Sequence, residues 1–326
     1  MKTLFVMLST VWMSLSSMAV LNASGRAMVV VLPPCNAAES RVAMDSTDPQ
    51  PFDSTTIDIH TVDNPSPSYP QRGILWFPTA IVGAATVGGV LYGHGIQDNV
   101  WWKGSYTPFH VNVGQDWTYA LGADKLGHMV TPFAISRIWS TGLRACGFDS
   151  AAAIWTASGF ALGYQTYVEI RDGFSAAYGF SPADMVANVV GAGLPIVQHY
   201  VPPLRSMTLQ ISFSPSQAFR DGAYGAIIDD YTSTTHWVSI DMADVVPASW
   251  TWYPAWLNVA IGHSVENLDG RGGGNHVVYV SLDWNLARIN GLPQWLRDLA
   301  RVFHLYHLPA PAVRIAPSVA WFGLKF

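Results

Sequence analysis

At 326 residues the chain is long enough to bury a sizeable core, so marginal stability from small size is not at issue. Charged residues make up 12% of it, about half the usual share, against 50% hydrophobic residues and 14 tryptophans, a balance that favours contact with lipid. A net charge of −5 and only four lysines, Lys2, Lys103, Lys125 and Lys325, leave no basic stripe and exclude nucleic acid as a partner.

Met1-Lys2 followed by an apolar run reads as a secretory signal, and residues 1–38 are assigned to this export region. Cleavage after Ala23-Ser24-Gly25 competes with cleavage near Cys35-Asn36-Ala37. Cys35 is a formal lipid acceptor, but Leu32-Pro33-Pro34 lacks the small residues of a lipobox. Loss of this region would leave Cys146 as the one thiol, so stability has to come from packing. Residues 39–72, rich in Asp, Ser, Thr and Pro, read as a disordered linker.

A helical domain is expected over 73–204. Residues 74–95 carry no formal charge and are long enough to cross a bilayer as a helix; a helix buried in a bundle fits them equally. The following loop, from Trp101-Trp102 to Trp117-Thr118-Tyr119, suits an interfacial aromatic belt. Three more apolar helices are predicted at 125–144, 150–168 and 182–200, with Asp149-Ser150 and Ser181-Pro182 as helix starts.

The period changes after Arg205, and 205–326 reads as a strand-rich domain. Strands are predicted at 207–213, 236–240, 256–261, 276–283 and 314–326, with an amphipathic helix at 292–305. Gly270 to Gly274 reads as a hairpin loop and Asp229-Asp230-Tyr231 as a turn. The aromatic C-terminal residue resembles the closing strand of an outer-membrane barrel, but five strands fall short of the eight at which bacterial barrels begin. The fold class expected is α+β, a bundle of about four apolar helices followed by a small antiparallel sheet.

Asp124 and His128 are four apart, as are Asp184 and Asn188, while Glu169 and Asp172 are three apart, so each pair shares a helix face. Together with Lys125 and Ser181 they form the candidate polar site. Four acids against Lys125 and Arg171 would leave two negative charges for a metal ion or a protonated His128 to absorb. Three kinds of site answer to that pattern: a catalytic or metal site, a recess for a lipid or peptidoglycan-linked ligand, and a structural network fixing bundle register. The spacing names no metal, cofactor or catalytic residue.

Phe109-His110, Asp124-Lys125-x-x-His128, Glu169-Ile170-Arg171-Asp172-Gly173-Phe174-Ser175, Gly179-Phe180-Ser181-x-x-Asp184 and Asn188-x-x-Gly191 follow one another in an order that resembles the YfiM-like family of predicted periplasmic lipoproteins. The likeness is to a longer form with a strand-rich C-terminal part. A fainter similarity to VanZ-like membrane proteins rests on the Asp-Lys-x-x-His and Asp-x-x-x-Asn patterns. The resemblance implies a compact helical domain on the periplasmic side of the bacterial envelope, but no reaction. The expectation is an exported, membrane-associated envelope protein with a structural or ligand-binding role, the partners being membrane lipid and an envelope protein or lipid-linked ligand. The alternative is a metal-assisted hydrolase of lipid or cell-wall material.

Overall fold

The computed structural model describes residues 73–114, 116–270 and 272–326; the expected export region and linker, Cys35 included, lie outside the described residues. Four long helices come first: α1 (Trp76–Val100), α2 (Ala123–Ala145), α3 (Ser150–Asp172) and α4 (Pro182–Tyr200). They are followed by β1 (Met207–Phe213), a short α5 (Gln217–Arg220), β2 (Thr234–Ile240), β3 (Leu257–Glu266), β4 (Asn275–Trp284), α6 (Gln294–Phe303), β5 (Ala310–Ala316) and β6 (Ala320–Lys325). Among the described residues the fold is thus mixed, with six helices and one six-stranded antiparallel sheet in the order β1-β2-β3-β4-β5-β6.

Two helix starts follow directly from capping chemistry. The Asp149 carboxylate accepts from the Ala151 and Ala152 amides, both at 2.9 Å, and the Ser181 hydroxyl accepts from the Asp184 amide at 2.9 Å ahead of Pro182. The four long helices are not equal members of a bundle. α2, α3 and α4 bury side chains against one another, whereas α1 has no buried residue and lies along the outside of α3. Leu75, just before α1, donates its amide to the carbonyl of Cys146 at the end of α2, and at the other end Gln97, His94 and Asp98 of α1 meet Tyr164, Tyr167 and Arg171 of α3.

Helix α2 has no exposed residue. On one side α4 approaches it so closely that a Cβ on Gly191 would sit 2.0 Å from the Met129 carbonyl oxygen. On the other side Val130 and Phe133 pack against Leu209 of β1 and against Leu305. The helical and strand-rich parts therefore share a core, and α2 is fixed from both sides.

Strand register sends apolar and polar side chains to opposite faces of the sheet. Leu209, Ile211 and Val238 face the helices. The opposite face is polar and buried: Asp283 accepts from Gln210 Nε2 at 3.0 Å and from Ser239 Oγ at 2.6 Å, and lies 2.9 Å from His304 Nε2. Trp237 stacks on His307 beside this network at 3.9 Å. Backbone bonds from Ile211 to Leu305 and His307 cover the free edge of β1.

The segment expected as one strand over 314–326 is part of two. Pro317 supplies no N–H to a ladder, and the chain turns there between β5 and β6, which gives six strands where the alternation suggests five.

Gly191→Ala should destabilise the protein by about 3 kcal/mol, because the clash is with backbone and α2 has no room to retreat; urea unfolding measures it, and Gly193→Ala, which meets open space, is the control.

Burial raises the Asp283 carboxyl, but the His304 hydrogen bond and charge and the Ser239 hydroxyl outweigh it and hold it at about 2. A carboxyl depressed from its unfolded value of ~3.9 contributes stability that is present above that pH and is lost as the pH falls toward about 2. Roughly 2 kcal/mol should disappear over this window, read as a falling urea midpoint, and Asp283→Asn should lower stability at neutral pH while removing this part of the acid sensitivity.

Candidate functional site

The chain enters α2 through a left-handed run, Ala120 and Leu121 at φ 48° and 54° and then Gly122 at 78°. Non-glycine residues in that region cost about 1 kcal/mol or more each. The turn places Asp116 beneath the first turn of α2. The C-terminal end of α3 and the first turns of α4 meet the same spot, so three helix ends and one loop deliver polar groups to a single place.

Lys125 is the hub. Its ammonium lies 2.6 Å from Asp184 Oδ1, 2.8 Å from Asp124 Oδ2 and 3.3 Å from Asp116 Oδ1. It thereby takes one oxygen from each of the two aspartates on α2 and α4. The others, Asp124 Oδ1 and Asp184 Oδ2, stand 3.7 Å and 3.8 Å from His128 Nε2. On the other side of the imidazole, Nδ1 faces Glu169 Oε1 at 3.4 Å, and neither of these two buried atoms has a hydrogen-bond partner. Glu169 Oε2 is held by the Ser181 amide at 3.2 Å.

The remaining groups support this inner set. Ser181 Oγ donates to Asp116 Oδ1 at 2.5 Å while accepting from the Asp184 amide, and Asp116 Oδ2 accepts from the Ala183 amide at 3.0 Å. Asp172 accepts from the Trp102 indole at 2.6 Å, and the Tyr231 hydroxyl donates to Asp124 Oδ1 at 2.7 Å. Asn188, one turn beyond Asp184, is wholly buried, and both polar atoms of its amide lack a partner.

The electrostatics follow from burial and from who faces whom. Burial works against charge on Lys125, but Asp124 and Asp184 win and hold its ammonium well above the usual lysine range. Likewise the His128 imidazole is raised against its burial by Asp124, Asp184 and Glu169. Asp124 is raised by burial and lowered more by His128 and Lys125, so it ends below the usual value. Burial dominates for the other acids: Asp184 is raised, Asp172 is pushed up to about 6 and Glu169 to about 8. Carboxylates outnumber cations here, and the repulsion between them adds to the dominant effect of burial on Glu169 and Asp172.

All eight residues expected from the sequence, Asp124, Lys125, His128, Glu169, Asp172, Ser181, Asp184 and Asn188, lie at this end of the three helices. Arg171 does not join them. It turns outward to Asp98 at 2.9 Å and lies over the Trp102 ring at 4.6 Å, so the positive charge expected from it is missing from the site. Phe109 and His110 act as packing, Phe109 against Phe174 and Phe180, and His110 against Gly179.

Asp116, Trp102 and Tyr231 have no counterpart in the sequence-based site. Asp116 and Trp102 fall in the aromatic loop and Tyr231 in the turn after β1, where no periodicity points to a partner. A cavity of about 450 Å³ lined by Thr235, Tyr279 and Lys325 opens in the sheet and shares no residue with the acid-histidine cluster.

A mixed helix-and-sheet protein with an acid-histidine cluster at one end of its helices is the class that the fold defines. Residues 114–199, about a quarter of the chain, match the model of a family described as predicted periplasmic lipoprotein (DUF2279). The matched segment runs from the loop that carries Asp116 to the end of α4 and so contains the whole cluster except Trp102 and Tyr231. No curated protein and no solved structure matches the chain. The chain is a membrane-associated protein of the bacterial envelope, on its periplasmic side.

Ser181→Ala should cost about 1–2 kcal/mol, since it removes the α4 cap and the donor to Asp116 together. Urea unfolding checks the loss, and Ser181→Thr should recover most of it.

Proposed function

We propose that this envelope protein binds a divalent cation between α2 and α4, with Asp124 Oδ1, His128 Nε2 and Asp184 Oδ2 as its protein ligands. Supporting atoms of these three residues lie within 4.8 Å of one another. Metal–ligand bonds of roughly 2.0–2.3 Å set ligand atoms about 3–4 Å apart, which accommodates separations of 3.7 Å and 3.8 Å that are too long for hydrogen bonds.

The observation that carries the proposal is the placement of Glu169 on the far nitrogen of His128. A carboxylate on one imidazole nitrogen orients the other toward a metal and raises its basicity. Lys125 contributes by turning each aspartate so that one oxygen points toward His128. Mixed nitrogen and oxygen donors suit Zn²⁺ or Mn²⁺ better than Ca²⁺, which takes oxygen ligands. The role is ligand binding, with the ion joining two helices at the end of the layer. The motif order behind the YfiM-like and the fainter VanZ-like resemblance falls on the same side chains, which supports treating 73–204 as the functional part, with 205–326 as its strand-rich companion.

A second reading, metal-assisted hydrolysis of a lipid-linked or cell-wall substrate, is favoured by the unpaired oxygen of Glu169. It lies on the far side of the His128 ring from the proposed ion, so in this reading it would take up a proton through His128 and not directly from a metal-bound water.

Calorimetric titration of the metal-stripped protein with Zn²⁺ and with Mn²⁺ should show one ion bound. His128→Asn and Asp184→Asn should each abolish that binding, and Glu169→Gln should weaken it by about 10–100-fold. A parent protein that binds neither ion, with both Asn variants strongly destabilised, would mean that the cluster is a structural ion-pair network. Metal-dependent release of product from lipid or cell-wall material, lost in Glu169→Gln with the ion still bound, would favour the hydrolase.

A further inference from the structure

The outer helices of the structure carry a separate message, independent of whether the cluster binds a cation. From α4 the side chains of Val186, Val189, Val190 and Val197 are all exposed, and their spacing puts them on one face of that helix. α1 exposes Trp76, Phe77, Val87 and Leu91, and it is long and apolar enough to cross a membrane, with mean hydropathy 1.3. α3, packed between them, exposes Trp155, Thr156, Gly159 and Gly163. Isolated exposed apolar residues are ordinary on a soluble protein, but neighbouring helices with uncharged outer faces are not.

The lengths and ends of these faces point to one occupant. No Asp, Glu, Lys or Arg occurs over 74–97 of α1, 150–168 of α3 or 185–198 of α4. At roughly 1.5 Å per residue the α3 stretch is about 28 Å long, close to the ~30 Å of a hydrocarbon core. Charges return together at both limits. At one end lie Asp98 with Arg171, and Glu169 with the cation-site acids; at the other lie Arg144 and Asp149.

Aromatic residues with polar tips mark the same limits. The Trp155 indole donates to the Tyr200 hydroxyl at 3.1 Å at one end, and Tyr167 bonds His94 at 2.7 Å beside Trp102 at the other. This is the distribution of a membrane-interface belt. The sheet continues the pattern: Ile261, Val280, Val313 and Trp321 lie in one row across β3 to β6, and Ile261, Val280 and Trp321 are exposed.

The geometry points to lipid acyl chains as what covers the outer faces of α1, α3 and α4, with the acid-histidine cluster at the polar boundary of the bilayer. A second copy of the chain would need a complementary surface, whereas acyl chains need only an uncharged one of matching thickness. α1 alone passes the length and hydropathy criterion for a membrane helix among the described residues, so placing α3 and α4 beside it in lipid rests on the packed structure.

The test uses the full chain, with Cys35→Ser, in vesicles of phosphatidylethanolamine and phosphatidylglycerol. Nitroxide labels are placed one at a time at Val87, Gly159 and Val189, with Gln217 of α5 as the water-exposed control. Labels at the three helix positions should be relaxed more by oxygen than by a water-soluble nickel complex, and the control the reverse. A Val186→Glu/Val190→Glu variant, changing exposed positions only, should keep its circular dichroism and its co-flotation with vesicles should fall at least tenfold. Labels on α3 and α4 that favour the nickel complex would overturn the inference. So would spin–spin broadening at Val189 that vanishes on dilution with unlabelled protein, which would place a second copy on that face. Metal titration of the same glutamate variant reports separately on the cation site.

Discussion

One buried ammonium organises the charged end of this molecule. Lys125 reaches carboxylates from the loop before α2, from α2 itself and from α4, so its loss would leave Asp116, Asp124 and Asp184 repelling one another with little water to help. Removing one partner of a buried pair costs about 3–5 kcal/mol, far more than a surface pair is worth. The close approach of α2 and α4 at Gly191 is compatible with so many acids only because Lys125 neutralises part of their charge. The same contacts leave one oxygen of Asp124 and one of Asp184 directed at His128, which ties the stability of this end to the arrangement offered to a cation.

Helix α2 carries that arrangement because it alone touches every other layer. α3 and α4 pack on one side of it and the apolar face of β1 and β2 on the other. Its first two turns therefore cannot shift without disturbing both the sheet and the helices. The sheet contributes more than support: Tyr231, just before β2, delivers its hydroxyl to Asp124. The second buried polar network, centred on Asp283, has a different balance. There a single carboxylate is matched by His304 and by two neutral donors, and its carboxyl is held at about 2. In the acid-histidine cluster the carboxylates exceed their cationic partners, and Glu169 is pushed up to about 8. Burial is the main cause of that rise, and the neighbouring acids Asp184 and Asp172 add to it, so the two buried networks differ in how fully their carboxylates are paired.

The polar cluster and the uncharged helix faces are two consequences of one distribution. Charges along α1, α3 and α4 are confined to the helix ends, so an uncharged surface runs between them while the buried cluster lies at one of those ends. A protein exported to the periplasmic side and associated with a membrane has use for both.

The sequence alone was enough for a mixed helix-and-sheet fold and most element positions, and it set the helix-face spacing of the eight polar residues that packing brings to one end of three helices. Periodicity, capping residues and helix-face spacing are local signals, and Asp149 and Ser181 cap their helices through neighbours within one turn. It was not enough for Asp116, which lies in the irregular loop just before α2, nor for Trp102 and Tyr231, which meet Asp172 and Asp124 from a loop and a turn distant in sequence, nor for the outward turn of Arg171 toward Asp98. It also read the last two strands as one and left open whether the first long helix crosses a bilayer or is buried in the bundle. In each case the deciding energy lies in long-range contacts: which loop carboxylate finds Lys125, which indole finds Asp172, and which helix faces are left without protein to cover them. The spacing placed the acids and His128 on helix faces, and only packing determined that Glu169 and the two aspartates meet opposite nitrogens of one imidazole.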